Sequence, residues 1–119
     1  MSSILIVDDM EDIRFLCRLV LEGAGHDVIE AATAEDALAL LDGTTIPDAI
    51  LLDIRLPGMD GWEVLRILKG RQDLAGIKVI VCSAHASKSE QSRAQAEGAV
   101  GFLSKPFPMK ELVRLFEAA

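Results

Sequence analysis

The sequence predicts an α/β protein: a doubly wound, five-stranded parallel sheet with five helices. Three observations carry this. Short apolar runs rich in Ile, Val and Leu alternate strictly with longer segments of helical period. The runs are apolar continuously rather than at every second residue, as expected of strands covered on both faces. The chain has 119 residues, the size of a single domain, and 50% of them are hydrophobic, enough for one sizeable core.

The first run, Ile4–Val7, is a buried strand. Ile13, Leu16, Cys17, Val20 and Leu21 then recur at helical spacing, and Gly23 and Gly25 end that helix. A weaker strand spans Asp27–Ala31, with His26 in the loop before it. Thr33 can cap a second helix carrying Ala37, Leu38 and Leu41, closed by Gly43. Strand three is Ala49–Ile54, and Gly61 leads into a helix with Trp62, Leu65 and Leu68 on its buried side, Trp62 half-buried near the preceding loop. Strand four is Ile77–Ser83. From Ser87 to Glu97 the only apolar residues are Ala, so the fourth helix is polar nearly all round. It is either a loosely held element or a mobile face read by a partner. Val100–Ser104 forms strand five, and Leu112, Val113, Leu115 and Phe116 give a last amphipathic helix. Residues 1–119 are expected to form one domain, with no room for a second.

Composition excludes several classes. The net charge of −7 argues against a nucleic-acid partner, which would require clustered Lys and Arg. Cys17 and Cys82 belong to no CxxC or Cys/His cluster, so zinc and redox roles lack support and both read as buried thiols. The start MSSILIVDDM has no basic region, and no apolar stretch is long enough to span a membrane. A cytoplasmic location is expected.

In open parallel sheets, ligands sit beyond the carboxyl ends of the strands, near the point where strand order reverses. Here those ends carry Asp8 and Asp9 (strand one), Asp53 (three), Ser83 (four) and Ser104–Lys105 (five). In the common flavodoxin-like order 2-1-3-4-5, strands one and three are neighbours, which gathers the three acids. Lys105 then starts roughly 10 Å from strand three, at about 4.8 Å per strand, and its side chain can cover most of that distance. A carboxylate is costly to bury alone, so Asp53 at the end of AILLD needs partners. Three clustered carboxylates call for a cation, and an all-oxygen set suits Mg2+. Carboxylates, Mg2+, a lysine and a hydroxyl are the equipment of phosphoryl transfer, in which an aspartate can be the nucleophile.

At this point the chain resembles, over essentially its whole length, the receiver domains of two-component response regulators. The resemblance rests on the DD pair after strand one, LLDIRLPGMDG, the small hydroxyl residue in VCSAHA, and KPF after strand five, in order and at the right spacing. It implies that Asp53 is the phosphoacceptor, loaded by a histidine kinase or histidine phosphotransfer protein. It implies Mg2+, for which Mn2+ can substitute, held directly by Asp9, through water or from behind the direct ligands by Asp8, and by Asp53 and the backbone carbonyl of Arg55. Ser83 resembles the switch hydroxyl, Lys105 the phosphate-pairing lysine, and Phe102 the switch aromatic. Pro106 follows a bond that is often cis in this family. Serine at 83 and phenylalanine at 102 are the less common choices, and Phe102 has no hydroxyl to donate. Arg55 and His85 fall where side chains tune the lifetime of the phosphate. The resemblance puts the output on helix four, strand five and helix five.

Each residue also has a plainer reading. Asp8 and Asp9 can cap the first helix, Asp60 is a turn residue before Gly61, Lys105 a solvated lysine, Ser83 a strand-end serine and His85 an exposed loop residue. It is their combination that favours the metal site. A phosphotransferase acting on external substrates would want an acid two residues after its nucleophile, where this chain has Arg55. A flavin protein would want a Ser/Thr/Gly-rich phosphate loop where it has DDMED. A phosphorylation-independent adaptor would be expected to have lost site acids, and none is lost. The leading reading is a stand-alone phosphorylation switch, not an enzyme, acting through protein contacts with a downstream target.

Overall fold

A computed structural model describes residues 2–43, 46–84 and 87–118 of the chain. Strands β1 (Ser3–Val7), β2 (Asp27–Ala31), β3 (Ala49–Asp53), β4 (Lys78–Ser83) and β5 (Gly101–Ser104) alternate with helices α1 (Glu11–Gly23), α2 (Ala34–Leu41), α3 (Gly61–Gly70), α4 (Lys88–Ala96) and α5 (Met109–Ala118). All four strand pairings are parallel and the order is β2-β1-β3-β4-β5, as the sequence predicts. Strands three, four and five are each one residue shorter than expected at one end. Ile54 still donates its N–H to Cys82, but Ile77 bonds back to Leu74 in a turn.

Side-chain alternation along the strands explains the continuous apolar runs. Leu5, Val7, Ile50, Leu52, Val79 and Val81 pack with residues of α2 and α3 and with Ala94 of α4. Ile4, Ile6, Ala49, Leu51, Ile80 and Cys82 face the other way, against Cys17 and Leu21 of α1 and Leu112 and Phe116 of α5. Two helices therefore cover one face and three the other. Each fully buried Leu, Ile or Val contributes about 1.5–3 kcal/mol relative to exposure, so this aliphatic sandwich carries the stability. The polar residues at the sheet's carboxyl edge are left for other work.

Local capping fits the sequence. Thr33 Oγ1 accepts the Asp36 N–H (3.0 Å) at the start of α2, and Gly43 bonds Leu40 at its end. Asp60, expected as a turn residue, caps α3 by accepting the Glu63 N–H (3.1 Å). Ser87 caps α4 through the Glu90 N–H (3.1 Å), and Ala94 is the residue of α4 that is buried. Trp62 is more buried than expected, at 7% exposure, because the first turn of α3 enters the core while Arg93 of α4 covers the ring. No helix among the described residues is long and apolar enough to cross a membrane.

Candidate functional site

Strand register brings the expected residues to one edge. Val7 is opposite Leu52, Asp53 opposite Cys82, and Ser83 opposite Ser104, so β1, β3, β4 and β5 end nearly level. One carboxylate oxygen from each of Asp8, Asp9 and Asp53 lies within 4.8 Å of the others. Asp8 and Asp53 are buried, 2% and 3% exposed, while Asp9 is open to solvent. Lys105 reaches across the edge of the sheet, and its Nζ donates to Asp8 Oδ2 (2.7 Å) and Asp53 Oδ2 (2.9 Å).

Each side chain is fixed by its backbone. The Asp8 N–H is held by the Ala31 carbonyl at 3.1 Å. Its Oδ1 accepts the Met10 N–H (2.9 Å), which braces the turn before α1; the N-cap of that helix is Met10, with no side-chain cap, so neither Asp8 nor Asp9 caps it. Asp53 Oδ1 accepts the Arg55 N–H at 3.0 Å. The loop after β3 then folds back: Gly58 adopts a φ of 76°, and the Gly61 N–H bonds the Ile54 carbonyl. A Cβ at Gly61 would lie 2.4 Å from the Asp53 carbonyl oxygen, closer than any side chain tolerates. Lys105 is anchored by its own N–H to the Ser83 carbonyl (2.8 Å), and the Lys105–Pro106 bond is cis, as the resemblance implies.

Burial pushes the Asp53 carboxyl above its usual range, opposed by the Arg55 N–H and by Lys105. Burial works against the Lys105 charge, yet the hydrogen bonds to Asp8 and Asp53 prevail and hold its ammonium above the ordinary lysine range. The neighbouring thiols are inert by the same physics: burial raises Cys17 to about 11 and Cys82 further. The donor set of Asp8, Asp9 and Asp53 is all oxygen, with one solvent-facing member for entry. That chemistry fits a small hard dication such as Mg2+.

Beyond the acids, Ser83 is buried at the end of β4 and its Oγ donates to Glu90 Oε1 in α4 (2.8 Å). The other Glu90 oxygen pairs with the Arg55 guanidinium at 3.2 Å. Arg93, one turn later, lies 4.2 Å over the Trp62 ring. Asp9, Arg55, Trp62, Glu90 and Arg93 line one cleft. Sequence reasoning missed Glu90 and Arg93, since charges on a polar helix read as a solvated face. The one available signal was the position of Glu90, three residues after the capping Ser87 and close in sequence to Ser83. Phe102 is half-buried opposite Val81 and lines a groove between α4 and β5. Arg55 is 59% exposed at its side chain. His85 lies outside the described residues.

With this geometry in hand, comparison with known proteins is direct. The sequence matches the family described as the response regulator receiver domain over residues 4–117. It is 42% identical over 112 residues to the KDP operon transcriptional regulatory protein KdpE of Escherichia coli, covering 94% of this chain and 48% of that protein. It is 33% identical over 117 residues to the polar-differentiation response regulator DivK of Brucella ovis, covering 98% of this chain and 94% of that one. The chain thus spans about half of the first relative and nearly all of the second. The structure of the chemotaxis response regulator CheY4 of Vibrio cholerae superposes with a TM-score of 0.91 at 28% identity, over 99% of this chain and 98% of that one. Motifs, strand order and matches agree: the chain belongs to the receiver domain family of two-component response regulators.

Proposed function

We propose that this protein is a phosphorylation switch in which Asp53 takes a phosphoryl group from the phosphohistidine of a histidine kinase or histidine phosphotransfer protein. The observation that carries the reading is the Asp53 carboxylate itself. It is buried, one oxygen is bonded by the Arg55 N–H and the other by Lys105, and two further acids lie within 4.8 Å.

In the transfer, a carboxylate oxygen of Asp53 attacks phosphorus as the P–N bond of the donor breaks. The electron pair stays on the imidazole, whose departure is eased by a proton on its other nitrogen. Mg2+, or Mn2+ in its place, would be held by Asp8, Asp9, Asp53 and the Arg55 backbone carbonyl and would supply positive charge to offset that of the phosphoryl oxygens. Lys105 exchanges its carboxylate contact for a phosphoryl oxygen, and the Ser83 hydroxyl donates to another. These contacts exist in full only in the phosphorylated arrangement, so they shift the population toward it. Phe102 follows Ser83, and the α4/β5/α5 face carries the change to a downstream protein. Water later attacks the acyl phosphate at phosphorus, returning the carboxylate and inorganic phosphate, and we assign the tuning of that rate to Arg55 and His85.

The protein acts on its own aspartate rather than turning over an external substrate. We assign residues 4–117 to one receiver domain acting in the cytoplasm, an extent that matches nearly the whole of DivK and about half of KdpE. The transcriptional regulatory role of KdpE belongs to a protein about twice as long, and the net charge of −7 disfavours nucleic acid as a partner of this chain. For the phosphodonor, α1 starts just beyond Asp9 and exposes Phe15, Leu16 and Leu19, an apolar surface suited to protein docking. The test is incubation with acetyl phosphate with and without Mg2+, followed by intact-mass measurement. A gain of one phosphoryl group only with Mg2+ supports the reading; no gain where a known receiver is labelled refutes it.

A further inference from the structure

We propose that Glu90 is a positioning residue that latches the switch: it holds the Ser83 hydroxyl and the start of α4 in the unphosphorylated arrangement, and it must release both when Asp53 is phosphorylated. The inference rests on the phosphoacceptor reading of Asp53 and adds a residue to it.

A serine hydroxyl has one hydrogen to donate, and Ser83 gives it to Glu90 Oε1 at 2.8 Å. Phosphoryl oxygens are acceptors only, so the same hydrogen cannot serve Glu90 and the phosphoryl group together. Strand alternation makes the choice a physical displacement. Ser83 continues the series Val79, Val81, which packs on the cluster that includes Ala94 of α4; Asp53 continues Ala49, Leu51, on the opposite face. Redirecting the hydroxyl toward Asp53 turns it away from α4.

Charge acts in the same direction. The other Glu90 oxygen is paired with Arg55, whose N–H already bonds Asp53. Conversion of the Asp53 carboxylate to an acyl phosphate takes its charge from −1 to about −2 and carries that charge further out, where it repels the Glu90 carboxylate and competes with it for the guanidinium. The Arg55 end is exposed and contributes little by itself; the part-buried bond to Ser83 is the stronger tie. Glu90 also sits three residues after the capping Ser87, where a glutamate can bond back to the cap's own N–H. Here its two oxygens engage Ser83 and Arg55, coupling the helix start to the site. Ala94 is the buried apolar residue of α4, and Arg93 adds a contact over Trp62.

The test compares wild type, Glu90→Gln and Glu90→Ala, each alone and with Ser83→Ala. With acetyl phosphate and Mg2+, Glu90→Ala is expected to be labelled about fivefold faster than wild type, the effect of one released hydrogen bond, with Glu90→Gln between them. With Ser83→Ala the gain should largely vanish, because no hydroxyl remains to be released. Equal or slower labelling of Glu90→Ala, or a fivefold gain that survives Ser83→Ala, overturns the latch. A separate arm needs no phosphodonor: hydrogen exchange of the α4 amides in Glu90→Ala should quicken about fivefold while β4 is unchanged. Unaltered α4 exchange also overturns it. Failure of wild type to gain phosphoryl mass would instead reject the reading of Asp53, with the exchange arm still deciding what Glu90 does.

Discussion

Lys105 lies 2.9 Å from Asp53, joining the end of β5 to the end of β3 across β4. With Asp8 also bonded, this lysine bridges a pair of buried acids and offsets one of their two charges. Lys105→Met is expected to destabilise the protein by about 2 kcal/mol in metal-free buffer, since removing one partner leaves buried charge uncompensated. The pH dependence has a definite sign. The folded state raises the pKa of Lys105, so its contribution is fully present below the unfolded value of about 10.4 and fades as pH rises beyond it. The stability gap between wild type and variant should be constant from about pH 6 to 9 and shrink above about pH 10. Urea titrations across that range check it.

Gly61 allows the loop after β3 to close against the Asp53 backbone. In an open helix, Gly→Ala would gain about 1 kcal/mol of propensity. Here the added Cβ meets the Asp53 carbonyl at 2.4 Å and the Ile54 Cα at 2.7 Å, both backbone atoms that cannot swing aside. The clash outweighs propensity, and Gly61→Ala should lose about 2 kcal/mol net and slow phosphorylation of Asp53. Thermal melting with labelling kinetics reads both effects.

Metal binding should be visible through Trp62, which lines the same cleft as Asp9. Titration with Mg2+ is expected to change Trp62 emission saturably and to raise the melting temperature by several degrees, corresponding to about 2.7 kcal/mol at one hundred times Kd. Asp9→Asn removes the solvent-facing carboxylate and should weaken binding at least about tenfold. Equal affinity in the variant would remove Asp9 from the ligand set.

The lifetime of the phosphorylated form should respond to Arg55 and His85. Truncating Arg55 frees Glu90 as well as the cleft, so Arg55→Ala and His85→Ala are each expected to change the half-life of the phosphoprotein by about twofold or more, or about 0.4 kcal/mol in barrier. Decay followed by intact mass after removal of acetyl phosphate checks this. Unchanged half-lives in both variants would show that neither side chain controls the attacking water.

The architecture was legible because strands covered on both faces carry contiguous apolar runs. Leu51 and Leu52 are buried on opposite sides of the sheet, and neither position could be polar. The acids and Lys105 were legible because a charge directly after such a run marks a strand end, and parallel strands end together. Glu90 and Arg93 were not legible. Their roles depend on how α4 leans on the sheet, and a helix with one buried alanine leaves no periodic trace of that orientation. Trp62 was placed correctly at the start of α3 but read as half-buried, because the covering Arg93 comes from a helix whose packing the sequence did not encode in apolar residues. Asp8 accepts from both Met10 and Lys105, so it braces the turn before α1 without capping the helix, a distinction that the residue type alone does not show.

The central claim is that Asp53 carries the phosphoryl group. Wild type and Asp53→Asn are treated with acetyl phosphate and Mg2+, the acyl phosphate is reduced with borohydride, and the digested peptides are mapped by mass spectrometry. The account predicts that the modified residue is Asp53 and that the variant gains no label. Modification at another residue, or equal labelling of Asp53→Asn, would contradict it.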